Sequence, residues 1–412
     1  MLLRFAGLLF FLAALWLGWG WFKERASDPG SVRVVDTKDM IAAVEFKDEG
    51  QQAVIFKPNG DLMANEGYGK GNIDKDIVWQ PNGNALFFIS DRKDRAFHIF
   101  RWNPGFEPEA RSYGTRSRGN PWFSTQQDDE TANNEALITS GGKVLSFDPK
   151  TTNTRQMLPP VGREVSQASG DEAGAGSGSQ FDGVYKAYGD SFKYARWCGN
   201  KQFIAAVIRG DTNEVLIVQN MSPKTEREQL PVPVAAGEKI DVDVNPKDGS
   251  LVFAVMNFST PDGKIPPQWI KNGKVTKPFE HLLARIDPTK EQAEPIATSN
   301  SNDSAFGSPR ISPDGAAVLV AIGSFVPGSG LEPKGLFSMP NAVGGGQAAA
   351  RLAIGAIFEP SWSPDGTRIA YAKRVDGKRA IFTSSKDGSG ERNVSGSKGN
   401  FGSPLFSPQK SG

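Results

Sequence analysis

The chain has little cysteine, little histidine and almost no net charge, and each shortage removes a class of function. It contains one Cys and two His among 412 residues, with 47 basic and 46 acidic side chains. One Cys cannot form an internal disulfide, and two His cannot build a multi-histidine metal site. A charge this close to zero supplies no basic excess to displace counterions from phosphates, so no nucleic-acid partner is expected.

Motifs of nucleophilic and phosphate chemistry are missing as well. The sequence has no G-x-S-x-G elbow and no stretch left for an α/β-hydrolase domain. The glycine-rich stretch 164–183 lacks the G-K-S/T ending of a phosphate loop and has the composition of a flexible loop. Cys198 is interpreted as a small buried side chain, and His98 and His281 as ordinary packing or surface residues.

A short repeated segment is the most informative feature of the chain. Its best preserved copy runs from Pro360 to Gly366, where an apolar strand residue precedes the turn Ser363-Pro364-Asp365-Gly366. In such a turn Ser accepts a hydrogen bond, Pro fixes φ and Gly takes a positive φ, which is typical of a hairpin closing on a bulge. Seven copies can be aligned on the strand residue just before the turn, which we call the mark of each copy. The marks are Trp79, Phe123, Trp197, Val244, Ile311, Trp362 and Phe406, and successive marks are roughly 44 to 74 residues apart. Periods of about this size predict propellers or solenoid arrays.

Short apolar runs follow the turns and predict strands. Examples are 85–89, 203–208, 251–255, 317–322 and 369–372, each rich in β-branched or aromatic residues and bounded by Gly, Pro or Asn. Runs of this length and composition are typical of buried strands. A third strand and a second turn complete several copies, so each copy predicts one small antiparallel sheet.

The pattern W-S-P-D-G-x-x-I-A-Y at 362–371 resembles the WD40-like repeat of TolB-type β-propellers, and 311–322 carries a second specific copy. The resemblance extends over most of the chain from about residue 32. It implies an all-β fold of four-stranded antiparallel blades around a central channel, and a role in protein binding. TolB-type proteins carry an additional α/β domain before the propeller. Here the propeller is expected to begin almost directly after the N-terminal apolar run, so a part in the Tol-Pal system is not implied.

Seven blades are expected, with six as the alternative. The seventh mark lies close to residue 412, so the last blade needs strands from the N-terminal part, for which 32–35, 41–46 and 53–56 are candidates. Closing the ring with both ends of the chain would remove open sheet edges. Long loops near 103–134 and 164–183 are expected to fill wide intervals. The propeller, 32–412, is expected to be monomeric.

The N-terminal part predicts a membrane segment. Phe5 to Phe22 is an uncharged apolar run of 18 residues, which as a helix would extend about 27 Å. We divide this part into an anchor or signal sequence over 1–25 and a short linker over 26–31. One interpretation is an uncleaved single-pass anchor in the inner (cytoplasmic) membrane, with the propeller on the periplasmic or extracellular side. The other is a signal peptide cleaved after Gly20, which would leave a secreted propeller.

The one candidate metal site lies on a single predicted strand. Alternation places Asp241, Asp243 and Asn245 on the same strand face, and oxygen ligands of this kind suit calcium. The stretch is not an EF-hand loop, because Pro246 and Val252 stand where Gly and Glu are needed. The alternative interpretation is that these carboxylates form a solvated wall of the channel. No other cofactor is expected.

Two functional hypotheses follow from the sequence. The first is a membrane-tethered, non-catalytic propeller that binds an envelope protein or peptide, with no catalytic residues assigned. The second is a propeller enzyme, a hydrolase, lyase or lactonase, with a divalent cation at the channel mouth. The second needs channel-facing carboxylates from several blades, of which the sequence offers Asp241 and Asp243.

Overall fold

The computed structural model describes residues 35–408, apart from 65–70, 111–118, 124–134, 161–183, 190, 226, 262–263, 265–266, 291 and 397–398. The predicted anchor or signal (1–25), the linker (26–31) and the predicted loop at 164–183 lie outside the described residues. Among the residues that are described, no helix combines the length and apolar character needed to cross a membrane.

Antiparallel four-stranded sheets follow one another along the described chain, and each forms a blade. Blade 1 contains β4 (Asp74–Trp79), β5 (Leu86–Ser90), β6 (His98–Trp102) and β7 (Glu109–Ala110). Blade 2 contains β8 (Gly119–Phe123), β9 (Ala136–Ser140), β10 (Lys143–Phe147) and β11 (Thr154–Leu158). The predicted loop at 103–134 is therefore not continuous, because β7 and β8 lie within it.

Blades 3 and 4 share one strand. Blade 3 contains β12 (Ser191–Cys198), β13 (Phe203–Arg209), β14 (Glu214–Asn220) and β15 (Val232–Val244). Blade 4 uses the second half of β15 with β16 (Leu251–Ser259), β19 (His281–Ile286) and β20 (Glu294–Ser299). Gly237 lies where β15 passes from one blade to the other. A Cβ atom there would lie 2.4 Å from the Val255 side chain, so this crossing requires glycine.

Blades 5 and 6 follow the repeat most closely. Blade 5 contains β21 (Ala305–Ile311), β22 (Ala317–Val326), β23 (Gly330–Pro340) and β24 (Ala350–Ile354). Blade 6 contains β25 (Ile357–Trp362), β26 (Arg368–Val375), β27 (Lys378–Ser385) and β28 (Arg392–Asn393). A separate two-stranded hairpin, β17 (Ile270–Lys271) and β18 (Lys274–Val275), is inserted between β16 and β19 of blade 4.

Blade 7 takes strands from both ends of the described chain, in the order β29 (Phe401–Phe406), β1 (Ile41–Lys47), β2 (Gly50–Phe56) and β3 (Leu62–Ala64). β29 pairs with β1, with Ile41 opposite Phe406. The hydroxyl groups of Thr37 and Ser407 are 2.9 Å apart beside this pairing. The predicted closure by 41–46 and 53–56 is confirmed, and the described residues form seven blades rather than six. The candidate strand at 32–35 lies outside the described residues, except residue 35, which is not in a strand.

The repeated turn has the predicted geometry. In blade 6 the Gly366 amide donates to the Ser363 carbonyl at 2.9 Å, and Gly366 has a φ of +68°. The Ser363 hydroxyl accepts from the Arg368 amide at 2.9 Å. Its hydrogen bond to Asp365 is the main reason that the pKa of Asp365 is lowered to about 2, because it favours the carboxylate form.

Apolar clusters between successive blades form the core. The interface of blades 1 and 2 is built around Phe87, Phe123 and Phe147, and that of blades 6 and 7 around Ile41, Ala370 and Phe401. Similar clusters lie between blades 2 and 3, 3 and 4, 4 and 5, and 5 and 6. Side chains from opposite faces of each sheet thus join different clusters, which is the period-2 alternation expected of strands.

Candidate functional site at the inner strands

Among the described residues, the innermost strand of each blade has one edge without a strand partner, except that the first half of β15 also pairs with blade 3. In a propeller this edge borders the central channel. β21, for example, pairs with β22 and with no other strand of the described chain. Its register shifts between Gly307 and Arg310, and Ser308 has a φ of +50°. Similar bulges occur in β4, β25 and β29, where the residues with positive φ are Asp76, Glu359 and Ser403. Backbone N–H groups on these edges need acceptors from outside their own sheet.

Carboxylates from the preceding blade supply those acceptors. Asp241 of β15 accepts from the Ser308 amide at 3.0 Å, and Asp243 accepts from the Ile311 amide at 2.8 Å. Glu359 of β25 likewise accepts from the Ser403 amide at 2.5 Å. The predicted site residues Asp241 and Asp243 therefore lie together, and each uses one oxygen to hold blade 5 against blade 4.

Cationic side chains lie beside these carboxylates. Lys193 Nζ is 2.8 Å from a Glu214 oxygen and 3.9 Å from Asp241 Oδ1. The Arg196 guanidinium lies 4.7 Å from the ring centre of Tyr194. Burial, with a smaller contribution from Arg310, lowers the pKa of Arg196 to about 10. Arg196 is still protonated at neutral pH, so this part of the wall carries charges of both signs.

Tyr194 connects blade 3 to blade 4. Its hydroxyl donates to the Ile240 carbonyl at 2.9 Å, and burial raises the pKa of the phenol well above its usual value. The phenol is thus a neutral donor at physiological pH. Together with Asp241 and Asp243, it makes the inner strands of blades 3, 4 and 5 a hydrogen-bonded series.

The third predicted ligand, Asn245, has a separate set of contacts. Its Oδ1 accepts from the Lys247 amide at 3.0 Å, and its Nδ2 lies 3.3 Å from the Ser250 hydroxyl. Within the described residues, no group of three or more His, Cys, Asp or Glu side chains could hold a metal ion. Calcium at Asp241, Asp243 and Asn245 stays a prediction, and it would compete with the backbone amides for both carboxylates.

The two histidines and the cysteine are buried and make local contacts. His281 is buried, and its Nδ1 accepts from the Asn257 amide at 3.2 Å, so Nε2 carries the proton and donates to Asn302 Oδ1 at 3.3 Å. Burial lowers the pKa of His281. His98 opens β6, with Nε2 2.8 Å from Asp94. Cys198 is fully buried, and burial raises the pKa of its thiol.

Sequence reasoning missed Arg196, Arg310 and Glu359. These residues could have been identified from their positions in the repeat. Arg196, Asp243 and Arg310 stand one residue before their marks, and Asp241 and Glu359 stand three residues before theirs. Comparing these two positions across all seven copies would have collected the polar side chains of the inner strands.

No protein-family model matches the sequence, and none of the curated proteins matches it. Among solved structures, TolB from Acinetobacter baumannii is similar at 13% identity and a TM-score of 0.49, over 90% of this chain and 67% of that one. An oligogalacturonate lyase in complex with manganese is similar at 11% identity and a TM-score of 0.47, over 87% and 85%. The β-propeller domain of the Trilobed protease from Pyrococcus furiosus is similar at 10% identity and a TM-score of 0.43, over 78% and 84%.

The class of the protein follows from its own sheets. Four-stranded antiparallel blades in sequence order, closed by strands from both ends of the described chain, define a β-propeller. The four-stranded antiparallel blades that the resemblance to TolB-type propellers implies are therefore present in the described residues.

Acid should destabilise the protein partly through Asp241. Burial alone would raise the pKa of this carboxyl, but Lys193, Lys239, the Ser308 amide and Arg310 together lower it. A lowered folded-state pKa contributes stability that is complete above the unfolded value of about 4 and is lost as the pH falls through the folded value. We expect Asp241→Asn to cost about 1.5–3 kcal/mol at pH 7.

The measurement is urea unfolding at a series of pH values from 7 downward. As the pH falls below about 4, the free energy of unfolding of the Asp241→Asn protein should decrease by less than that of the unsubstituted protein. Parallel curves for the two proteins, separated by a constant offset at every pH, would contradict the role given to this carboxylate.

Proposed function

We propose that the protein is a membrane-tethered, non-catalytic β-propeller that binds another protein in the bacterial cell envelope. The hairpin β17–β18, inserted in blade 4, is the observation that carries the protein-binding part. The apolar run from Phe5 to Phe22 supports the tether. The resemblance of the repeat to TolB-type propellers favours the outer side of the inner membrane for the propeller. An enzyme with a divalent cation would need the carboxylates of Asp241 and Asp243 as ligands, but each of them already accepts a hydrogen bond from a backbone amide of blade 5.

The hairpin presents an apolar pair to solvent. Ile270 and Val275 face each other across the two strands and are 51% and 52% exposed. Asn272 and Gly273 form the two-residue turn, with φ of +50° and +71°, which fits the type I′ geometry of tight hairpins. Single exposed apolar residues are common on protein surfaces, but a cross-strand pair forms a continuous patch.

Aromatic packing holds the hairpin to blade 4. Phe258 of β16 lies 5.8 Å from Trp269 and 4.8 Å from Phe279, measured between ring centres. An isolated two-stranded hairpin is only marginally stable in water, so these contacts at its base are what order it. The hairpin is thereby presented with the outer edges of both strands free within the described residues, and an extended segment of a partner could add to either edge.

The chemistry of the hairpin indicates the chemistry of its partner. Lys271 and Lys274 are exposed and pair across the two strands next to the apolar pair, on the opposite face of the hairpin. An extended partner segment added to an edge would match the hairpin if its apolar residues, on the face of the pair, alternated with acidic residues, on the face of the lysines. The charges would steer association and the apolar contact would hold the complex. We therefore infer an acidic envelope protein as the partner.

Site-specific photo-cross-linking in the membrane tests this proposal. A photoreactive residue at position 270 of the full-length protein should capture one dominant envelope protein. The matched control is position 375: Val375 is also exposed beside a two-residue turn with positive φ at both positions, in the β26–β27 hairpin. Capture at 270 and not at 375 is expected. Equal patterns at both positions, or no adduct at 270, would overturn the proposal.

A further inference from the structure

The hairpin β17–β18 joins blade 4 through two short segments, 257–258 and 279–281, which we call its root. One backbone hydrogen bond of the root runs from the Phe258 amide to the Glu280 carbonyl, at 2.8 Å. The ring of Phe258 also contacts Trp269 at the base of the hairpin, with 5.8 Å between ring centres. Any change in the position of Phe258 would therefore be passed on to the hairpin.

The imidazole of His281 supplies the acceptor for the neighbouring backbone amide of the root. His281 is fully buried at the start of β19, and its Nδ1 accepts from the Asn257 amide at 3.2 Å. Nε2 lies 3.3 Å from Asn302 Oδ1, which fixes the proton of the neutral ring on Nε2. Asn257 has a φ of +50°, a conformation that persists only where the surrounding structure holds it. The bond to the ring is therefore part of what holds Asn257, and the adjacent Phe258, in place.

Protonation of His281 would break this contact. A protonated imidazole donates from both nitrogens, so Nδ1–H would face the Asn257 N–H with no acceptor between them. The charge would also be buried beside Phe325 of blade 5, whose ring centre is 5.5 Å from that of the imidazole. Opening of the root would give the cation access to water and the Asn257 amide a water acceptor.

The charged groups around His281 are already engaged with other partners. Lys277 Nζ lies 3.0 Å from Glu280, and Lys334 Nζ lies 2.8 Å from Asp303 of blade 5. The carboxylate of Glu238 on β15 accepts from the Asn257 side-chain amide at 3.4 Å. No carboxylate of the described chain bonds the His281 ring. Burial lowers the pKa of His281, Asn302 and Glu280 oppose this shift, and Lys277 adds to it.

We propose that His281 makes the hairpin sensitive to acid: when its ring is protonated, the root opens, Phe258 and Trp269 separate, and the apolar pair is no longer presented. Release of the partner, which rests on the proposed function, would follow, whereas opening of the root is a property of the propeller itself.

The direction of the pH dependence follows from the two states of the root. In the open root the solvated imidazole titrates near its ordinary pKa of about 6.5, and in the closed root below it. The closed root is therefore fully stable above about pH 6.5 and loses stability as the pH falls below that value. Until the folded-state value is reached, the ratio of open to closed root should rise by up to about tenfold per pH unit.

NMR of the full-length protein tests the opening step, because the chain contains two histidines in all. With nitrogen-15 histidine, the two are assigned by the signal lost in His98→Gln. His281 should be the Nε2–H tautomer at neutral pH and take up a proton only below about pH 6.5. With 5-fluorotryptophan, the Trp269 signal, assigned by Trp269→Phe, should shift in step with this protonation. A constant Trp269 signal while His281 titrates, or a neutral His281 until the propeller unfolds, would overturn the proposal.

His281→Asn separates the response to acid from the fold. The asparagine Oδ1 can replace Nδ1 as a neutral acceptor, so the Trp269 signal should stay at its neutral-pH position in acid. His98→Asn is the matched control, since His98 is also buried, with Asp94 at 2.8 Å in blade 1, and its loss should leave the Trp269 titration unchanged. A Trp269 titration that persists in His281→Asn would show that another group is responsible.

Photo-cross-linking from position 270 then tests release of the partner. Capture by the unsubstituted protein should be several-fold weaker at about pH 5.5 than at about pH 7.5, and capture by His281→Asn should be equal at both. Equal capture by the unsubstituted protein would contradict release. No capture at either pH would overturn the proposed partner and leave the NMR result on the root unaffected, so the two failures can be distinguished.

Discussion

Replacement of Asp74 by Ala should destabilise the propeller by about 3–5 kcal/mol, because it removes the carboxylate that neutralises the charge of Arg92 in a buried environment. Asp74 is fully buried, and its two oxygens lie 2.7 and 2.6 Å from Arg92 Nη2. One of them also accepts from the Ala53 amide of blade 7 at 3.0 Å. The Arg92 guanidinium in turn lies 5.1 Å from the ring centres of both Phe88 and Phe100, so it cannot move to solvent without losing these contacts.

Equilibrium unfolding in urea measures this effect, and a double variant identifies its cause. Asp74→Ala combined with Arg92→Met should be more stable than Asp74→Ala alone, because removing both charges of a buried pair costs less than removing one. Asp303→Ala is the control, since Asp303 and Lys334 form a fully solvated pair that should contribute little. A double variant less stable than Asp74→Ala would contradict this explanation.

Replacement of Phe401 by Ala should cost a comparable amount, about 3–5 kcal/mol, by emptying the interface that closes the ring. Phe401 is 2% exposed and packs edge-on against Phe56, with ring centres 5.1 Å apart. It lies at the start of β29, opposite Glu45 of β1. Its loss would therefore weaken both the packing and the pairing between the two ends of the chain.

The control for this prediction is Phe106→Ala, which removes the same side chain from a position that is 50% exposed. In urea unfolding, Phe401→Ala should have a clearly lower midpoint and a smaller free energy of unfolding than Phe106→Ala. Similar midpoints for the two would mean that the closing strand contributes little to the native state. In that case, the ring would be held by its other blade interfaces.

The blades could be predicted from the sequence because their turns require particular residues. Ser363, Pro364 and Gly366 each suit the backbone conformation or hydrogen bonding of one turn position, so the repeat can be recognised without knowledge of the tertiary structure. Closure through β1 and β29 was predictable for a related reason: the last mark, Phe406, needed partner strands, and the apolar segments 41–46 and 53–56 precede the first mark and belong to no other copy of the repeat. The structure confirms both expectations.

Features that depend on neighbouring blades could not be predicted. Nothing local in 232–244 shows that β15 serves two sheets, because that depends on how blade 3 meets blade 4. The carboxylates of Asp241 and Asp243 could be placed on one strand face, but their acceptor role needs the free edge of β21 in position. Trp197 has the same local pattern as Trp362, and only the missing acceptor distinguishes them.

The pairing of β29 with β1 sets the order of events when the protein is made. β1 leaves the ribosome before the strands of blades 1 to 6, yet its innermost partner, β29, is synthesised after all of them. Until then the growing chain is an open arc, with the edge of β1 exposed and available for wrong pairings. If the chain is also exported, the whole segment from β1 to β29 must cross the membrane before the ring can close. Premature termination near residue 400 would therefore yield a chain that cannot close its ring, which quality-control proteases could recognise by its unpaired strand.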